Sequence, residues 1–95
     1  MIFDIYYRNE FDGIAPDAAF LELDYSRAGS LDGHTPKEIH NDVESAVSDP
    51  SQAEGLDLEG LRSLRAGDVL VSSQGQGWVL TPSLIWATCL IVSGS

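Results

Sequence analysis

The chain opens with alternating positions: Phe3, Ile5 and Tyr7 on one side, Asp4, Tyr6 and Arg8 on the other. A period of two in a run rich in aromatic and β-branched residues predicts a strand with one buried face. Asn9 to Asp17 contains Gly13 and Pro16 and reads as a loop. Phe20, Leu21, Leu23 and Tyr25 alternate in part with Glu22 and Asp24, which predicts a second strand. Ala28 to His34, with Gly29 and Gly33, reads as a second loop.

The period changes at Thr35. Ile39, Val43, Ala46 and Val47 fall on one helical stripe. Thr35, Pro36 and Glu38 occupy the cap, the first helical position and the third. That is a capping box, in which two side chains satisfy N–H groups that a helix start leaves unpaired. Asp49-Pro50 ends the helix. Ser48 to Gly60 reads as flexible, and Leu56, Leu58, Leu61 and Leu64 suggest a short leucine-packed helical turn. Ala66-Gly67-Asp68 reads as a turn and Val69–Val71 as a strand. Gln74–Gly77 then forms a hairpin connection and Trp78–Leu80 the return strand. Leu84 to Val92 is apolar apart from Thr88 and suggests a central buried strand. The sum is one domain over residues 1–95, an α+β fold. A mainly antiparallel sheet of four to five strands carries one amphipathic helix.

Charge changes this picture. Fifteen acids face five bases, giving a net charge of −10. Residues 1–60 hold 14 of those acids, while Arg62, Arg65 and Asp68 are the only charges beyond them. The first two thirds should therefore carry the solvated surface and the last third the core. Direct binding to nucleic acid is disfavoured, because phosphate neutralisation needs Lys and Arg in excess. No apolar run is long enough for a membrane helix. The start of the chain lacks the basic and long apolar regions of a signal peptide. Cys89 is the single cysteine and has no partner for a disulfide. These features suggest a cytoplasmic protein.

Candidate chemistry is sparse. His34 and His40 lie six residues apart across a helix start and share no face, so neither a metal site nor a cofactor site is expected. His40 and Glu44 are one turn apart and can pair. Ser63 has no downstream lysine, and Cys89 lies in an apolar run without an acidic or basic neighbour. Gly75-Gln76-Gly77 lacks the third glycine and the following helix of a phosphate loop. Trp78 and Trp86 read as packing residues. No catalytic role can be assembled, and an enzyme is not expected.

Leu61-Arg62-Ser63-Leu64-Arg65-Ala66-Gly67-Asp68-Val69-Leu70-Val71, followed by Gly77-Trp78, resembles a signature of small uncharacterised actinobacterial, plasmid and phage proteins. Those proteins also open on a strand like Phe3-Asp4-Ile5-Tyr6. The resemblance covers the first eight residues and the segment from 58 to 80, and this chain departs from it after Trp78 with a longer apolar tail. It implies a phage or mobile-element context and no catalytic residues. The expected function is accordingly a non-enzymatic interaction protein that binds or inhibits a basic host protein, with nucleic-acid mimicry as one form. The candidate contacts are Asp12, Asp17, Glu22, Asp24, Asp32, Glu38, Asp42, Glu44 and Asp49. The alternative is an assembly module that forms a homo-oligomer through the strand Leu84–Val92.

Overall fold

The structure, a computed structural model, describes residues 1–10, 13–49, 51 and 61–92. The described elements run β1 (Ile2–Arg8), β2 (Ala18–Phe20), α1 (Leu21–Asp24), β3 (Tyr25–Asp32), α2 (Pro36–Ser48), β4 (Val69–Ser72), β5 (Gly77–Leu80) and β6 (Trp86–Val92). The strands form one six-stranded sheet in the order β2-β6-β5-β4-β1-β3. All neighbours are antiparallel except β2 and β6, which run parallel. The α+β class holds. The sheet is larger than the four to five strands expected, it is mixed, and a second short helix is present.

One connection determines the shape of this sheet. β2 and β3 lie at opposite edges, yet only the four residues of α1 join them. A flat sheet of six strands would separate its edges by about 24 Å, at about 4.8 Å per spacing. The five steps from Phe20 to Tyr25 would reach only about 17 Å even if fully extended. The sheet must therefore curl, and its two faces bury different cores. One face holds Phe3, Ile5, Tyr7, Leu70 and Leu80, and α2 covers it with Ile39 and Val43. The other face gathers Ala19, Tyr25, Val69, Val79 and Cys89, each from a different strand. The curl itself closes that second cluster.

α2 starts as its sequence predicts. Thr35 Oγ1 accepts from the Glu38 N–H at 3.2 Å, and Pro36 opens the helix. Glu38 reaches back one residue beyond the standard box, accepting from the His34 N–H at 3.4 Å. The β4–β5 hairpin also forms as expected, with Ser72 N–H bonded to the Gln76 carbonyl and Gly75 at φ 88°.

Four expectations are corrected. The second strand, read over Phe20–Tyr25, is broken by α1, and β1 pairs with β3 and β4. β3 takes in Ala28–Asp32, which reads as a loop in the sequence. The cause is a bulge: Ile5 pairs with Gly29 and Tyr6 with Arg27, which leaves Ala28 as the extra residue. Gly29 takes φ 137°, a conformation side chains disfavour. Leu84–Val92 is no central buried strand either. β6 lies one place from the sheet edge, and its companion β2 covers only Leu90–Val92. Leu61–Leu64 form no helix, while Leu56 and Leu58 lie outside the described residues, as does most of the stretch read as flexible.

The segment Arg62–Asp68 carries the densest polar network. Asp68 is fully buried. Its carboxylate accepts from both terminal nitrogens of Arg62, at 2.7 and 2.9 Å, from the Arg8 N–H at 2.8 Å and from the Arg65 N–H at 2.9 Å. The Arg62 guanidinium lies 4.1 Å over the Tyr7 ring, and the Tyr7 hydroxyl donates to the Arg62 carbonyl. Gly67, at φ 97°, turns the chain so that Tyr25 Oη donates to its carbonyl at 2.8 Å. Asp68→Ala leaves Arg62 and two backbone donors without their acceptor. An expected loss of about 3 kcal/mol or more follows, read from urea unfolding. A loss under about 0.5 kcal/mol, the size of an ordinary surface substitution, would contradict this role.

The same region sets alkaline behaviour. Burial pushes the Tyr25 hydroxyl up to about 12. Burial also raises Tyr7, against the Arg62 contacts that lower it. A folded-state value above the unfolded value of about 10 gives stability that is complete below pH 10 and lost as pH rises toward 12. Thermal unfolding should show the melting temperature falling across that window. Tyr25→Phe should flatten the slope, and an unchanged slope would assign it elsewhere.

Candidate interaction surface

The described residues hold no group of three or more His, Cys, Asp or Glu able to bind a metal ion. Ser63, the serine of the Arg-Ser-Leu segment, donates from Oγ to Glu44 at 2.9 Å. Leu64 N–H bonds the other Glu44 oxygen at 3.1 Å. Glu44 therefore fastens the 61–68 segment to α2. Arg62, Ser63, Gly67 and Asp68, which carry the sequence resemblance, all bind parts of the fold to one another. Cys89 is buried, its thiol raised by desolvation and by the nearby Asp17 carboxylate. That opposes thiolate formation.

The nine candidate carboxylates divide by what they touch. Asp12 lies outside the described residues. Glu44 is turned inward, as above. Asp32 pairs with the Met1 amino group at 2.9 Å, which holds its carboxyl below the ordinary range. Glu38 bonds the helix start, and Asp49 accepts from the N–H and Oγ of Ser51 at 3.1 and 2.7 Å. Asp17, Glu22, Asp24 and Asp42 are exposed. Glu38 and Asp42, four residues apart, fall within about 40° of each other around the α2 axis, and Asp49 follows at the extended C-cap. They form a stripe along its outer flank. Glu22 and Asp24 stand on α1 at the start of β3, and Asp32 ends that strand. Those two groups are more than about 20 Å apart by strand rise.

On the other flank of α2 lies a groove. Thr35, Pro36, Lys37, His40 and Asn41 form one wall, and Trp78, Leu84, Ile85 and Trp86 form the other, around a cavity of about 550 Å³. Trp78 packs on Phe3 with ring centroids 5.6 Å apart, and both tryptophans pack against the α2-side core while lining the groove. Trp86 Nε1–H donates to His40 Nδ1 at 3.2 Å, with the rings edge to face at 5.7 Å. His40 Nε2 faces Glu44 at 3.7 Å. His40 is thus a half-buried bridge between α2 and β6, while His34 is exposed. The sequence allowed the His40–Glu44 pair but held no sign of the tryptophan.

β6 and its approach display what the core does not use. Leu84, Ile85 and Leu90 are 64, 65 and 67% exposed, and Phe20 on neighbouring β2 is 43% exposed. Residues 69–95 carry no charged side chain. Among the described residues, carboxylates on α1, α2 and the ends of β3 thus stand apart from an apolar band along β6, with Asp17 beside that band at Leu90. No helix among the described residues is long and apolar enough to cross a membrane.

The fold and this surface define an α+β domain with a curled mixed sheet, an inward-facing polar knot and an outward-facing apolar band. Comparison with protein-family models, curated proteins and solved structures finds no match.

His40→Leu removes the acceptor of the Trp86 bond while keeping an apolar side chain on α2. The tryptophan emission of the folded variant is expected to differ from that of the native chain. Identical spectra would show that the bond does not hold Trp86 in place.

Proposed function

We propose that this chain is a non-enzymatic interaction protein that meets a basic protein partner, with its carboxylates steering the encounter. The observation that carries the reading is the exposed stripe Glu38, Asp42 and Asp49 on the outer flank of α2, in a chain of net charge −10. The α2 helix holds Glu38 and Asp42 one turn apart, with Asp49 at its C-cap, and a field of one sign raises the rate of encounter with a basic surface. The resemblance around Arg62–Val71 supports a phage or mobile-element origin. A host factor that handles nucleic acid is then a natural target, and carboxylates standing in for phosphates one way to inhibit it. The test is capture from a host lysate at about 0.05 M and about 0.5 M salt, where screening differs several-fold. A basic protein should be retained at low salt and released at high salt. The triple variant Glu38→Lys, Asp42→Lys, Asp49→Lys should not retain it. Recovery of no basic protein at either salt would overturn the proposal.

A second reading is favoured by a separate observation, the exposed apolar band of Leu84, Ile85, Leu90 and Phe20. Here the protein is an assembly module that associates with itself through its C-terminal strand. Bands of this kind beside a polar surface mark contact sites in folded proteins.

A further inference from the structure

We infer that the outer edge of β6 at Trp86–Thr88 pairs antiparallel with the same edge of a second copy of this chain. The proposal rests on the assembly reading and names its contact. Backbone direction comes first. Leu90 N–H points away from β5 and donates to the Asp17 carbonyl at 3.1 Å. Along a strand the groups that point to one side recur every second residue. Trp86 and Thr88 therefore aim their N–H and C=O groups at the same outer side as Leu90. β2 pairs only with Leu90, Ile91 and Val92, and no strand among the described residues pairs with the outer side of Trp86–Cys89.

Charge then selects the occupant. Open edges are usually guarded by lysine or other charges; β6 itself carries none, and the exposed Asp17 stands beside it at the Leu90 end, away from Trp86. A two-fold contact sets a patch against itself. For a molecule of net charge −10, the acidic stripe on α2 repels its own copy, whereas the neutral 69–95 region does not. Antiparallel pairing centred on Ala87 sets Trp86 opposite Thr88 and brings Leu84 and Ile85 of each copy toward Leu90 of the other. Those three exposed side chains then cover one another. A contact of this kind tightens with salt, because screening weakens the repulsion between two acidic bodies. Binding to a basic partner changes in the opposite direction.

The experiment is sedimentation equilibrium of the full chain from about 10 μM to about 1 mM, a span that separates weak dimers from monomers. It is run at low and high salt on the native protein, on Thr88→Lys and on Leu23→Lys. Both substituted side chains are exposed, and circular dichroism and melting confirm that each variant is folded. The expected result is a native dimer strengthened by salt and a monomeric Thr88→Lys protein, although the added lysine lowers the net charge. Leu23→Lys, on α1, should dimerise like the native chain. A native monomer throughout the range overturns both this proposal and the assembly reading. A dimer that survives Thr88→Lys overturns the β6 edge and leaves assembly through another face. If Thr88→Lys fails to fold, Thr88→Glu provides the same test with the opposite charge.

Discussion

The buried carboxylate of Asp68 is the point on which the rest of the molecule depends. A charge without solvent survives in a protein only where partners replace its hydration, and here four donors from three places do so. Arg8 ends β1, Arg62 and Arg65 belong to the incoming segment, and Asp68 itself leads into β4. Its own backbone joins the β5 end, with Leu80 N–H bonded to the Asp68 carbonyl at 3.0 Å. One residue thus fixes the relative positions of β1, β4, β5 and the segment before them. Tyr7 and Tyr25 extend the hold to both faces of the sheet, since one packs with the α2 core and the other with the enclosed core. The charge is expensive to bury, and the cost is offset by making one geometry of these elements far better than any other.

The short α1 connection works with that knot. The knot ties β1 to β4 and β5, and α1 draws the two sheet edges toward each other. Between them they leave little freedom in the curl. Glu44 then attaches α2 to the same segment through Ser63 and Leu64. The helix is therefore held by packing of Ile39 and Val43 from below and by one carboxylate at its side. Acids that look interchangeable in composition are divided in this way. Asp68 and Glu44 organise the fold, while Asp42, Glu22 and Asp24 remain available to solvent.

Local signals were legible in the sequence, and those that depended on distant partners were not. The α2 start could be read because Thr35, Pro36 and Glu38 act within one turn. The β4–β5 hairpin could be read because Gly75 serves a turn that spans four residues. β3 was hidden because the bulge at Ala28 and Gly29 looks like a loop unless β1 is already alongside. β6 was misplaced because an apolar run states that burial is favourable, not that a neighbour exists to provide it. Its outer neighbour, β2, is three residues long. The roles of Asp68 and Glu44 need contacts across 60 and 20 residues, which no local period reports. The groove could not be read for the same reason: His40 and Trp86 lie 46 residues apart.

That unevenness bears on how a molecule this acidic can tolerate an open apolar edge. A neutral edge in a neutral protein invites indefinite pairing, which is why most edges carry their own charge. Here the protection is placed elsewhere. In the proposed pairing, the described acids on α1, α2 and the ends of β3 would keep those faces apart and leave β6 as the place where two copies meet. A guard at a distance limits the number and orientation of contacts without blocking the first one. On that proposal, the sequence asymmetry, acidic for two thirds and without charged side chains from Val69 onward, is what would let so acidic a molecule meet its own copy along one strand.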